Sequence, residues 1–332
     1  MDLIHANAAR AEMGFIDRFI KYDACISARA EIKDNSFALT LSDTDWEADP
    51  IQIGDYVYIP GTEWGGRVEY LKHSTKSAEI TASGPVWRGM LCRKIISPPS
   101  GEAYFVVTDM EGNTVLRTVI DTHFLDFFVI SEVNTGVTLS AQWRYAVMLD
   151  GLQSAFSAAG LALNFSYSQQ LKRPIISARV VNDYSQSIDI SQDYGVYIIT
   201  QQGGMEAYNH IIALGKGELT ERMVLELFRL DDGTITDVDP GNRGANDLAG
   251  TLDYPNAESV DELRKSAVSR LRESVPDKSV KLDVAELDLA VSLGDIVGAR
   301  DRLTGLVSTA TVTDMILTIT PEDGEKIDVK VG

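Results

Sequence analysis

One short pattern occurs twice in this chain of 332 residues. Gly54-Asp55-Tyr56-Val57, seven residues and Gly65 are matched by Gly294-Asp295-Ile296-Val297, seven residues and Gly305. Both glycine pairs are 240 positions apart. A turn-prone gap and a β-branched strand follow each copy, at 78–82 and 315–320. Repetition at a fixed offset is the signature of a duplicated unit. Its parts have physical roles: Gly54 and Gly294 allow a left-handed turn at the entrance to a strand. Asp55 and Asp295 satisfy loop amides through their carboxylates, and Val57 and Val297 enter the core. The chain is therefore expected to build one small β-unit twice.

The rest of the chain reads as further β-structure with few helices. Ile26, Ala28, Ala30 and Ile32 alternate with polar neighbours, as do Phe37, Leu39 and Leu41, with a turn at 33–36 between them. This predicts a hairpin. Strands are expected at 56–59 and 67–72. From 80 to 96 the expectation is a strand, a turn at Gly84 and a short helix with Pro85 in its first turn. The run 97–101 (Ser-Pro-Pro-Ser-Gly) is a segment edge. A second hairpin is predicted from 103–107 and 114–120, and a helix over 140–159 that includes Trp143. Strands follow at 161–167, 175–181 and 195–200, then a hairpin from 211–214 and 223–229. Ser259 with Glu262 forms a capping box for a helix over 259–275 ended by Pro276. The order predicts an α+β fold dominated by β-structure and barrel-like sheets, not a doubly wound sheet.

Composition narrows the function. The net charge is −19, with 49 acidic against 30 basic residues, which disfavours a nucleic-acid grip. Nucleic acid sliding past without sticking is compatible with that charge. The stretch 231–262 carries nine acids against Arg243 and reads as a solvated loop region. Cys25 and Cys92 are expected to be free and partly buried. The first 14 residues lack a basic start followed by an apolar run, so no secretory leader is expected, and no apolar stretch is long enough for a membrane-spanning helix.

The search for catalytic chemistry yields no catalytic, cofactor-binding or metal-ligating residues. His5, His73, His123 and His210 are not in metal-binding spacing. His123 lies between Asp121 and Asp126, an arrangement with general-base potential but more often structural. The acids at 231–232, 237 and 239 do not complete a calcium loop. Trp46 and Trp64 flank the first Gly-Asp turn, where packing is the expected use. Two alternatives stay open: a cell-wall glycan or peptidoglycan hydrolase, which needs an acid pair or metal cluster in a cleft, and a carbohydrate-binding adhesin using exposed aromatics.

The runs 54–59, 66–69, 80–84 and 91–96 together resemble the N-terminal barrel of bacteriophage tail hub proteins, the siphophage tail-tip proteins of the tail-associated-lysin type. The run 293–301 followed by Thr304-Gly305 resembles the closing barrel of the same family. The resemblance implies tube-type barrels at 1–96 and 251–332, an inserted α/β domain at 97–194, and a hairpin region at 195–250 that completes a barrel. Gly54, Asp55, Val57, Gly65, Gly84, Gly294, Asp295, Val297 and Gly305 are then structural-motif residues. It further implies a non-enzymatic virion protein: a homotrimer at the tail tip or baseplate, assembled in the bacterial cytoplasm. Two barrels per subunit would match the hexameric tube. The implied partners are the distal tail or tube ring, the tape measure protein, tail fibre or tip proteins, and DNA passing through the centre, with no cofactor and no membrane insertion. Many relatives carry a lytic or receptor-binding extension; none is expected within 332 residues.

Overall fold

The computed structural model describes residues 2–185, 189–190, 197–202, 207–241, 244–274, 278–284, 291–300, 303 and 307–331. Two compact units emerge: Met1–Ile198 with Lys281–Gly332, and Ile199–Val280. Strands outnumber helices in both, so the α+β, β-dominated class is observed. Among the described residues no helix is long and apolar enough to cross a membrane.

The larger unit is organised by an antiparallel sheet that joins the two ends of the chain. Six of its ten strands run in the order Gly324–Val331, Val307–Thr320, Lys21–Ser27, Ser36–Ser42, Glu79–Pro85 and Tyr70–Ser74. Alternation sets its buried face, because successive strand side chains point to opposite sides. Tyr22, Ala24 and Ile26 go inward, as do Phe37, Leu39 and Leu41. Buried Asn35 closes the first hairpin: its Oδ1 accepts from Ser27 N (2.9 Å), and its Nδ2 donates to Arg29 O (2.7 Å) and Glu31 O (3.0 Å). The seam between chain ends is tight, with Asp314 opposite Ser27 and Ile319 opposite Tyr22. Across it, Thr318 Oγ1 donates to Asp23 Oδ1 at 2.8 Å. Among the described residues neither this sheet nor the smaller one closes into a ring of paired strands. Tyr70–Ser74 lies at the margin, mostly exposed; Lys72 and His73 there give the polar edge that discourages further pairing.

The smaller sheet has the order Glu12–Phe15, Ile4–Ala6, Tyr56–Tyr58, Gly65–Arg67. Behind it lies a core formed with the middle of the chain. Trp87 stacks on Tyr56 and Tyr167, with ring centroids 6.1 and 5.1 Å apart. The adjacent Arg88 is buried, bonded to Glu63 Oε1 at 2.6 Å and Leu163 O at 3.0 Å, and stacked over Phe165 at 4.9 Å. A charge so enclosed persists only with both a counter-ion and hydrogen bonds.

Several local expectations are corrected. The first hairpin strand is Lys21–Ser27, and Ile32 opens a 3₁₀ turn instead of continuing it. The strand expected at 67–72 is divided between Gly65–Arg67 and Tyr70–Ser74. Residues 114–120 are not a strand: they belong to the helix Gly112–Phe124, and Phe105–Glu111 pairs instead with Thr138–Trp143. Glu111 caps the helix by accepting from Thr114 N (3.0 Å), and Val115, Leu116, Val119 and Ile120 bury one helical face. The predicted helix over 140–159 begins only at Met148 and ends at Ala158. Trp143 is the last residue of a strand, and its indole N–H donates to Gly151 O (2.9 Å). Gly84 sits inside the strand Glu79–Pro85 rather than in a turn. A Cβ there would lie 1.9 Å from Arg67 O, so close strand crossing requires glycine. Pro85 ends that strand, and the following turn Arg88–Arg93 is 3₁₀.

The smaller unit packs the helix Val260–Glu273 on a sheet built from the expected hairpin, His210–Leu214 with Val224–Arg229, plus parallel Ala249–Asp253. Leu263, Ala267 and Leu271 meet Ile211, Ala213 and Leu227. Ser259 accepts from Glu262 N (3.2 Å), as the capping box predicts. At the other end Arg229 donates to Leu271 O (2.8 Å) and Ser274 O (3.1 Å), satisfying terminal carbonyls.

Candidate functional site

The two Gly-Asp turns are built alike, bond for bond. Gly54 has φ 101° and Gly294 φ 91°, in the left-handed region that glycine enters freely. Gly54 N donates to Val68 O and Val68 N to Asp55 O, at 2.8 and 2.7 Å. Gly294 N donates to Val312 O and Val312 N to Asp295 O, both at 2.8 Å. Asp55 N donates to Gln52 O at 3.1 Å, and Asp295 N to Ser292 O at 3.0 Å. Each carboxylate then closes its own turn. Asp55 Oδ2 accepts from Gln52 N (2.7 Å) and Asp295 Oδ2 from Ser292 N (2.8 Å). Asp55 and Asp295 are buried, as are Val57 and Val297 in the strands that follow.

Each buried carboxylate also meets a nitrogen-bearing side chain from elsewhere in the chain, an imidazole in one copy and a guanidinium in the other. Asp55 Oδ2 lies 3.1 Å from His5 Nε2, while His5 Nδ1 faces Asp49 at 3.1 Å. Asp295 Oδ1 takes the Arg179 guanidinium at 2.6 Å and the Asn182 amide at 3.1 Å. His5 and Arg179 were not singled out by the sequence pattern, because neither stands at a fixed offset from its aspartate. An acid at the head of a repeated turn is the one available signal that a hydrogen-bonding partner exists.

The copies part after the turn. Tyr56, Val57 and Tyr58 pair with Arg67, Gly66 and Gly65. Ile296, Val297 and Gly298 pair with Thr311, Ala310 and Thr309. Thr309 therefore stands where the first copy has Gly65, and the second hairpin is four residues longer. Gly305 lies outside the described residues. Gly65 is in its strand, where a Cβ would come within 2.4 Å of Tyr58 Cβ. The third strand differs too: Tyr56–Tyr58 is flanked by antiparallel Ile4–Ala6, whereas Ile296–Arg300 is flanked by parallel Asp189–Ile190.

The residues considered for catalysis are engaged elsewhere. His123 Nδ1 faces Val119 O and Nε2 faces Ile95 O, both at 2.9 Å. Asp126 pairs with Arg173 (2.8 Å), not with His123. Asp232 and Asp239 accept from Thr234 N and Gly241 N at 2.8 Å, closing their own turns. Asp237 pairs with Arg264 at 2.6 Å. Among the described residues no group of three or more His, Cys, Asp or Glu side chains is placed to hold a metal ion. Trp64 is buried and Trp46 half-buried, so neither offers an open stacking face. Cys25 and Cys92 are both free thiols.

No protein-family model and no curated protein matches this chain. Solved structures do. The 43 kDa tail protein of prophage MuSo2 from Shewanella oneidensis is similar over 100% of this chain and 98% of its own, at 11% identity and a TM-score of 0.51. Prophage tail protein gp18 from Listeria monocytogenes is similar over 100% and 94%, at 11% identity and a TM-score of 0.52. At such identities the likeness is one of architecture, and this chain has the fold of phage tail proteins.

Proposed function

We propose that this chain is a structural protein of a phage or phage-like tail: a trimeric hub at the tail tip or baseplate that closes the distal end of the tube. The observation that carries this reading is the Gly-Asp hairpin built twice with the same hydrogen bonds. The strand after the second copy is zipped to the first segment of the chain. Three such chains hold six related hairpins, which is what joining a six-fold tube to a three-fold tip demands. In this reading 1–96 and 251–332 supply the tube-type parts, 97–194 the inserted α/β part, and 195–250 a completing hairpin. The open sheet margins are completed by neighbouring subunits. The acidic chain suits a conduit through which DNA passes without adhering. The tube or distal-tail ring, the tape measure protein, and fibre or tip proteins are its partners, in a particle assembled in the bacterial cytoplasm.

The role is one of assembly rather than catalysis. The hydrolase alternative is disfavoured by His123, held by two carbonyls, and by Asp126, held by Arg173. The adhesin alternative loses Trp64, which is buried, and would rest on Phe15, Tyr70 and Tyr145, which are exposed. Negative-stain class averages of the purified protein test the proposal. A ring with three-fold symmetry and six inner lobes is expected; compact, asymmetric single particles at every concentration oppose it.

A further inference from the structure

The larger unit carries a cleft of about 430 Å³ whose chemistry runs against the rest of the chain. Tyr56, Phe124 and Phe127 contribute aromatic surface, and Arg67, Arg93 and Lys94 contribute charge. Glu69, the acid in the lining, is already paired with Arg93. Arg67 and Lys94 have no carboxylate within ion-pair distance among the described residues, and Lys94 Nζ lies over the Phe124 ring at 5.1 Å. Leu125, also in the lining, is 80% exposed and held at φ 50°, a left-handed conformation unfavourable for leucine. On a chain of net charge −19, two unpaired cations over an aromatic surface form a local attractive field for an anion.

We infer that this cleft receives a short acidic segment of a partner protein, with an apolar or aromatic side chain between carboxylates. The carboxylates would meet Arg67 and Lys94, and the apolar side chain would cover Phe124, Phe127 and Leu125. Charge complementarity argues for this occupant. A nucleic acid is disfavoured, because an extended polyphosphate needs many cations along its path. Here it would find two unpaired ones and an acidic chain beyond. The cleft is sized for a few side chains, not for a folded domain.

Fluorescence anisotropy of the full chain with labelled Asp-Asp-Phe-Leu-Asp-Asp tests this at low ionic strength. Lys-Lys-Phe-Leu-Lys-Lys and a single-stranded oligonucleotide of equal negative charge serve as comparisons. Saturable binding of the acidic peptide alone is expected, weakened about tenfold in the Arg67→Ala, Lys94→Ala double variant. Phe124→Leu, which keeps an apolar residue but removes the ring, should weaken it less. An unchanged melting temperature shows that the variants are folded. The inference is overturned by absence of saturable peptide binding, by binding indifferent to the double variant, or by tighter binding of the oligonucleotide.

Discussion

Asp55 and Asp295 hold the same position in two copies of one turn, each accepting the backbone N–H three residues before it, at 2.7 and 2.8 Å. Each is buried against a nitrogen-bearing side chain from a distant segment, the His5 imidazole in one case and the Arg179 guanidinium in the other. Removing either carboxylate leaves a loop amide unsatisfied; removing Asp295 also strips Arg179 of its carboxylate, whereas His5 keeps Asp49. Asp295→Ala is expected to cost about 3 kcal/mol and Asp55→Ala about 2 kcal/mol. The lesser cost follows from Asp49, which remains beside His5. Urea unfolding of both variants checks the order.

The turn glycines should tolerate substitution better than Gly84. Gly54→Ala and Gly294→Ala place a side chain in the left-handed region, a penalty of about 1–2 kcal/mol each. Gly84→Ala drives a methyl group into the Arg67 carbonyl, against backbone that cannot swing aside as a side chain would. It should cost more than about 3 kcal/mol, or abolish soluble expression. Thermal melts of the three variants rank them.

Acid should weaken the seam between the chain ends and the cap of the helix Gly112–Phe124. Burial pushes the Asp314 carboxyl up, but hydrogen bonds from Ser27 and Thr313 and the charge of Arg29 outweigh it and hold it below the ordinary carboxylate range. For Glu111, burial is likewise outweighed by hydrogen bonds from Thr135, Asn113 and Thr114. A depressed folded pKa gives stability that is full above the unfolded value and is lost as pH falls through the folded one. Melting temperature should therefore fall below the ordinary carboxylate range. The fall should be smaller in Asp314→Asn and Glu111→Gln, which start less stable at neutral pH.

Both thiols should be slow to react in the native protein. Burial pushes Cys25 and Cys92 up to about 11, and the thiolate is the reactive form. A thiol-reactive chromophore at neutral pH should titrate little before unfolding and two thiols after it.

Local signals carried much of the fold. The Ser259–Glu262 box marked a helix whose cap is made within three residues, and alternation at 37–41 marked the second strand of a hairpin, while its first strand lies at Lys21–Ser27 rather than 26–32. What stayed hidden depended on distant partners. The helix Gly112–Phe124 opens with Gly112 and Asn113 and carries β-branched Val115 and Val119, which read as a strand. Its cap is a glutamate, itself held by Thr135, 24 residues on (2.9 Å). Trp143 matched a helical spacing by coincidence, while its strand pairs Trp143 with Phe105. At the candidate site, the turn residues were legible because they are local. Arg179 was not, since it meets Asp295 across 116 positions.

The central claim is that two related hairpins per chain serve a three-fold assembly, and the mass of the particle in solution tests it most directly. Light scattering on a sizing column should give about three times the 36.4 kDa of one chain, constant on dilution. A mass of one chain across a wide concentration range, persisting when tube or distal-tail protein is added, would contradict it.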